Sequence, residues 1–329
     1  MNAAHVDAYL RRLGAGHPAA PTAAALRELQ LRHLRTVPFE NLSVHLDEDI
    51  VLEEERLLDK VVGAHRGGFC YELNGAFGAL LAALGFEVTL LAARVFGEEG
   101  RLGIPYDHLA LRVRTADGGD WLTDVGFGAL SHFPLAFEER GEQVEPGGTL
   151  QIVAAAPGPE LHTGPAPDPH LTGTKRSAGA AGTAEHAKQA GTAEHAKPAG
   201  TAKPAEPAEP AEPAEPAGTG DLDVVLDGKP QYRLELRPRV LGDFVAGAWW
   251  HSTSPASHFT RSLVCSRLTE DGGRVTLGGR TLTTTGLDGT REVRDMTSDE
   301  EVLAVYRDRF GIELASVPAV RNRNPGRSS

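Results

Sequence analysis

Apolar residues recur at helical spacing up to Gly85 and at alternating or clustered spacing beyond it, so the period of the pattern changes partway along the chain. Val6, Tyr9, Leu10 and Leu13 predict a first helix that stops at Gly14. Thr22, after Pro21, caps a second through Leu26, Leu29 and Leu34, which must end before Pro38. Val37 to Leu42 reads as an extended turn, and Leu57, Leu58, Val61 and Val62 predict a third helix over 53–65. A fourth begins at Cys70, carries Leu73, Phe77, Leu80, Leu81 and Leu84 on one face, and stops at Gly85. Beyond it, segments 86–96, 106–115 and 121–127 are short, rich in β-branched and aromatic residues, and separated by glycine-rich or charged turns. They predict antiparallel strands. Segments 149–156, 222–227, 232–237 and the run from Arg261 to about Thr285 continue that character. The last helix is signposted by the capping box Ser298-Asp299-Glu300-Glu301, with Val302, Tyr306 and Phe310 as its stripe before Gly311.

From about Pro157 to Gly220 this patterning ceases. AGTAEHAK occurs at 181–188 and again at 190–197, and Ala-Glu-Pro repeats from Ala205 to Pro216. A tract with almost no large apolar residue has little to offset ordering entropy, so it reads as a disordered, proline-extended insertion. His186 and His195 lie in this tract without a cysteine nearby, which makes them linker residues and not metal ligands; no metal is expected. The formal charge of −12, without a Lys/Arg run, argues against a nucleic-acid partner. The segment MNAAHVDAYLRRLG has no sustained apolar core, and no run reaches the roughly 18 residues that cross a bilayer. A cytoplasmic protein off the membrane is expected, with its two distant cysteines, Cys70 and Cys265, as reduced thiols.

Cys70 is the residue that carries chemistry. The run Arg66-Gly67-Gly68-Phe69-Cys70 brings a glycine-rich turn straight into a helix, so the thiol meets the unpaired N–H groups and positive dipole end of a helix start. That position suits a nucleophile; the alternative is a small buried hydrophobe. A nucleophilic cysteine needs a base and the base an orienting carboxylate, and the strands around His108 and Asp124 offer both. An odd-length loop centred on Asp117 sets Asp124 opposite Ala110, diagonal to His108 on one face, whereas an even-length loop puts the two on opposite faces.

The stretches VPFENLSVHL (37–46), RGGFCYELNGAF (66–77), DHLALRV (107–113), DVGFG (124–128) and STSPASHFTRSL (252–263) resemble the arylamine N-acetyltransferase family, and the likeness continues through the last helix. It covers nearly the whole chain apart from about 157–220. The resemblance implies an α+β multi-domain fold with a cysteine-protease-like Cys-His-Asp core. A helical bundle (1–85) would bear the thiol, a central antiparallel β-barrel would span 86–156 and about 221–240, and an α/β lid (241–317) would precede a loose tail (318–329). It implies Cys70, His108 and Asp124 as a catalytic triad. Gly126, Phe127 and Gly128 would form a tight loop near the coenzyme A pyrophosphate, and Phe39, Phe127 and Phe259 would wall the acceptor pocket. Glu40 and Arg66 read as an ion pair tying the second turn to the thiol loop, and Cys265 as core. The implied activity is ping-pong acetyl transfer from acetyl-CoA, through an acyl-cysteine, to an arylamine, hydrazine or arylhydroxylamine. Two alternatives share the chemistry. One is an ansamycin-type amide synthase that takes a polyketide from a carrier protein, and the other is a Cys-His-Asp hydrolase or amidase that passes the acyl group to water.

Overall fold

The helical part forms where apolar spacing dictates. α1 (Ala3–Leu13) buries Val6, Tyr9, Leu10 and Leu13, and α2 (Ala23–Thr36) starts at Thr22, whose hydroxyl accepts the Ala25 N–H at 3.3 Å. The molecule is seen in a computed structural model that describes residues 1–97, 100–156 and 220–320. The segment read as an extended turn is a two-residue strand, β1 (Phe39–Glu40), followed by a short helix, α3 (Leu42–Leu46). The third helix is shorter than its spacing suggests: α4 (Glu54–Leu58) runs into a π-helical turn at Asp59–Gly63, closed by Ala64 N–H on the Asp59 carbonyl at 2.7 Å. α5 (Cys70–Ala83) begins at the cysteine, as expected.

The barrel follows as β2 (Glu87–Val95), β3 (His108–Arg114), β4 (Asp120–Thr123), β5 (Leu135–Ala136), β6 (Gln143–Glu145), β7 (Gly148–Ala154), β8 (Leu222–Leu226) and β9 (Lys229–Arg239). They pair antiparallel in the order β5-β4-β3-β2-β9-β8-β7-β6. The two ends of this sheet are stitched by a side chain. The Gln143 amide accepts the Ala136 N–H at 2.7 Å and donates to the Ala136 carbonyl at 3.1 Å, standing in for a strand partner and nearly closing the barrel. After the barrel come α6 (Val245–Thr253), α7 (His258–Arg261), β10 (Val264–Leu268), β11 (Arg274–Gly278), β12 (Thr281–Thr285), β13 (Arg291–Asp295) and α8 (Asp299–Phe310). The run read as β from Arg261 therefore opens on the last residue of a helix and divides into separate strands.

The expected α+β fold, with helices, an antiparallel barrel and a C-terminal α/β part, is the fold observed. One pairing was not expected: β1, from the helical part, is the edge strand of the C-terminal sheet and lies against β10 (Phe39↔Ser266, Glu40↔Cys265). Among the described residues three apolar clusters join these elements. The first joins α1, α2 and α5 to one face of β3 through Phe77, Leu80, Leu109, Leu111 and Val113. The second fills the barrel with Leu91, Ala93, Ala110, Leu122, Tyr232 and Leu234, and the third packs α8 on the C-terminal sheet through Leu277, Val302, Tyr306 and Phe310. Each such large side chain contributes about 1.5–3 kcal/mol by burial. Because β3 alternates, Leu109 and Leu111 serve the helices while Ala110 serves the barrel, so His108 starts a strand wedged between the two cores. Residues 157–219, which carry nearly all of the insertion and its two histidines, and the tail from 321 lie outside the described residues.

Candidate active site

The thiol loop is built from charges that burial would otherwise forbid. Arg66 donates through Nε to Glu40 Oε1 at 3.0 Å and through Nη1 to both Glu48 oxygens, while Glu40 Oε2 accepts the Leu42 N–H at 2.6 Å. The expected Glu40–Arg66 pair is thus present, and Glu40 is fully buried. Burial pushes the Glu40 carboxyl up, but the Lys60 and Arg66 charges and the hydrogen bonds from Leu42 and Arg66 outweigh it and hold it low. On the other side of the loop, Glu72 reaches back to the Phe69 N–H at 3.2 Å and takes Lys60 Nζ at 2.6 Å, which fixes the entry into α5. Cys70 sits at that helix start, buried, with a free thiol.

His108 is the first residue of β3, and Asp124 follows the last residue of β4. The register Leu111↔Thr123 and Arg112↔Leu122 continues to place Asp124 opposite Ala110, as the odd-length loop requires. His108 Nε2 lies 2.7 Å from Asp124 Oδ2, and Cys70 is close enough to the ring to raise its pKa. Since the carboxylate engages Nε2, Nδ1 is the ring nitrogen left to serve the thiol. Burial alone would depress the His108 pKa, but the Asp124 charge and hydrogen bond, together with Cys70, lift it to about 10. Burial also opposes ionisation of Asp124, yet His108, Asn74 and the Gly126 N–H hold its carboxyl below the usual range.

Two residues without an assigned role in the sequence complete this arrangement. Asn74 donates to Asp124 Oδ1 at 2.8 Å and to the Leu109 carbonyl at 2.6 Å, and accepts the Val125 N–H at 2.9 Å. Its position one helical turn after Cys70, on the same face, was a usable signal. Tyr232 donates its hydroxyl to Asp124 Oδ2 at 3.1 Å, and its ring lies tilted against His108 at 5.0 Å. Nothing in YRLELR marks it beyond strand alternation.

The 126–128 loop lies hard against the thiol. A Cβ on Gly126 would stand 2.7 Å from the Cys70 Cα, so only glycine permits this approach. The Gly126 N–H is engaged by Asp124 Oδ1 at 2.9 Å, and Gly128 has φ +91° beside the Phe39 ring. Phe127 packs edge-on to His108 at 5.2 Å and against Tyr232 at 5.1 Å. Phe39 and Phe259 lie tilted to each other at 6.0 Å, and Phe259 meets Phe69, the residue preceding Cys70, at 5.8 Å; Phe127 stands apart from these two, on His108 and Tyr232. Cys265 is fully buried on β10, far into the core. Among the described residues no group of three or more His, Cys, Asp or Glu side chains could hold a metal, and no helix is long and apolar enough to cross a membrane.

A buried cysteine close to a carboxylate-paired histidine is a constellation used by cysteine acyl-transfer enzymes, transferases and hydrolases alike. Comparison with known proteins separates these. A family model described as N-acetyltransferase matches residues 22–319. The arylamine N-acetyltransferase of Mycolicibacterium smegmatis is 29% identical over 315 residues, covering 94% of this chain and 92% of that one. The Salmonella typhimurium arylamine N-acetyltransferase / N-hydroxyarylamine O-acetyltransferase is 39% identical over 149 residues, a match that spans 45% of this chain and 53% of that protein. A proansamycin X synthase of Amycolatopsis mediterranei is 34% identical over 140 residues, 41% of this chain and 54% of that one. The structure of the Mycobacterium marinum arylamine N-acetyltransferase in complex with CoA matches with a TM-score of 0.67 at 26% identity, covering 93% of this chain and 92% of that one. The chain belongs to the arylamine N-acetyltransferase family and is an acetyltransferase.

Proposed function

We propose that the protein transfers an acetyl group from acetyl-CoA to an arylamine, hydrazine or arylhydroxylamine by a ping-pong route, with Cys70, His108 and Asp124 as its catalytic residues. The carrying observation is the buried His108–Asp124 pair, 2.7 Å apart and held by Asn74 one helical turn after Cys70, with Gly126 set directly against the Cys70 backbone. His108 takes the Cys70 proton, with Asp124 stabilising the imidazolium, and Cys70 Sγ attacks the thioester carbonyl. The C–S bond to coenzyme A breaks as its sulfur takes the proton back from His108, leaving acetyl-cysteine. The amine nitrogen then attacks that thioester, its proton passes to His108, and the Cys70 sulfur leaves and is reprotonated. The oxyanion formed in each half is served by the Cys70 N–H at the α5 start.

The donor's fit is supported by the CoA complex of the M. marinum relative and by the loop that Gly126 lets close on the thiol. With the Gly126 N–H engaged by Asp124, contact with the donor falls to Phe127 and Gly128. Phe39, Phe127 and Phe259 would hold the acceptor ring. A cytoplasmic setting keeps the thiol reduced. A second reading, amide synthesis from a carrier-bound acyl group, is favoured by the match to the proansamycin X synthase.

Incubation with acetyl-CoA and no acceptor is expected to add one acetyl group to the Cys70 peptide in mass spectrometry, and addition of an arylamine to remove it. Cys70→Ala should give neither adduct nor turnover. An adduct with bulkier thioesters but none with acetyl-CoA would transfer the assignment to the synthase reading.

A further inference from the structure

A second histidine–carboxylate pair, partly buried, stands one residue from the first. Asp107, immediately before His108, is gripped from three sides. From α6, His251 Nε2 lies 2.8 Å from Asp107 Oδ1; from the barrel, the Val95 N–H donates to Asp107 Oδ2 at 3.1 Å. From the thiol helix, Tyr71 donates its hydroxyl to the carbonyls of Tyr106 at 2.7 Å and Asp107 at 3.0 Å. Tyr71 is the residue after Cys70. The His251 ring packs edge-on to Phe69 at 6.4 Å and tilted on Tyr71 at 6.0 Å, so it touches both chain neighbours of the thiol. Its Nδ1 faces Ser257 Oγ at 3.4 Å, and Ser257 Oγ accepts the Phe259 N–H, which leaves the hydroxyl proton for the ring. By this network the ring carries its own proton on Nε2, aimed at Asp107.

Two backbone features show how closely this junction is specified. Tyr106 has φ +59°, a sparsely populated region for a bulky side chain, and such strain persists where surroundings over-determine it. Arg239 holds the Tyr106 hydroxyl at 2.9 Å and covers its ring, and Phe244 meets the ring edge-on. Gly247 lies one helical turn before His251 on the same face of α6, and a Cβ there would stand 2.7 Å from the Tyr106 carbonyl and 2.8 Å from the Tyr71 hydroxyl. The helix approaches the segment through Gly247 and grips it with His251.

We propose that His251 and Asp107 are positioning residues: their pair fixes the Tyr106–His108 segment from α6 and so sets the reach of the His108 ring to Cys70. The proposal rests on Cys70 and His108 being nucleophile and base. Displacing a reacting group by about 1 Å can cost about 100-fold. His251→Leu is therefore expected to slow single-turnover acetylation of Cys70 by about 10- to 100-fold, to leave the KM for acetyl-CoA unchanged, and to shift the pH profile of Cys70 alkylation by iodoacetamide. His251→Gln retains an N–H donor near the Nε2 position and is expected to restore most of the rate. Gly247→Ala, which touches neither member of the pair, is expected to act in the same direction as His251→Leu. Wild-type rates and an unshifted alkylation profile in His251→Leu, with only a lower melting temperature, would overturn the proposal and leave the pair a structural clasp. Should His251→Leu fail to fold, Asp107→Asn carries the test by the same profile, and an unshifted one overturns it equally. Alkylation needs no acyl donor, so a wild type that alkylates normally yet takes no acetyl group contradicts the proposed donor without touching this test.

Discussion

Asp124 is where the site's electrostatics are decided. Its Oδ2 accepts from His108 and Tyr232 and its Oδ1 from Asn74 and the Gly126 N–H, so a buried carboxylate has all its acceptor sites engaged and stays charged. That charge is what raises the His108 pKa, and the sign has a consequence for stability. A folded-state pKa lifted above the ordinary value near 6.5 means the folded protein holds this proton more tightly than the unfolded chain. The stabilisation is complete below about pH 6.5 and is lost as pH rises through about 10. Urea unfolding of wild type and Asp124→Asn across that range is therefore expected to show a stability gap that narrows toward the alkaline end. A gap of constant size would count against the ion pair. Of these residues, Cys70, His108 and Asp124 could be read from sequence because each sits at an element edge within a long motif. Asn74 was readable only through its spacing from Cys70. Tyr232 was not, because its partner lies 108 residues away and strand alternation reports that a tyrosine is buried, not what it touches.

Among the elements, the legible ones carry their own punctuation: α1 with Gly14, α2 with Thr22 and α8 with Ser298 all start or stop where a cap stands. Ser298 Oγ accepts the Glu301 N–H at 3.2 Å, and Ser298→Ala is expected to cost about 1 kcal/mol in urea titration. The illegible ones are defined by partners. A strand of two residues such as β1 exists because β10 lies beside it, and α6, with Ala-Gly-Ala-Trp-Trp at its centre, has no apolar stripe to announce it. Between β1 and the thiol loop the binding element is again the Glu40–Arg66 pair. With one partner gone, the other is left buried and unpaired, so Arg66→Met is expected to lose about 3–5 kcal/mol, whereas Arg66→Met with Glu40→Leu loses less than the single change. Equal losses would show that the arginine acts through its contacts with Glu48 instead. Because β1 carries Phe39 to the Phe259 ring, the single change is also expected to lower turnover more than a surface substitution of equal cost in stability.

At the scale of the whole molecule, the barrel closes across the interruption in its own sequence. β7 and β8 flank the stretch from 157 to 219, and they are direct antiparallel neighbours, with Ala154 opposite Leu222 and the Ala155 N–H on the Asp221 carbonyl at 3.0 Å. The chain therefore leaves and re-enters the sheet at adjacent points, where an ordinary hairpin would have needed only a few residues. Composition revealed that 157–220 lacks a core-forming pattern; it could not reveal that its two ends meet. That follows from the strand order, in which β8 lies between β9 and β7. His108, Asp124, Asp107 and His251 are held by hydrogen bonds and ring contacts within 1–156 and 220–320. Replacing 157–219 by a short Asn-Gly turn is accordingly expected to keep the melting temperature within about 3 °C, equivalent to about 1 kcal/mol for a chain of this size, and to leave turnover unchanged. Thermal unfolding and steady-state rates measured side by side decide it. Unchanged melting with reduced turnover would place a substrate contact in the repeats; a large fall in both would mean that β7 and β8 depend on them, against the register that joins these strands directly.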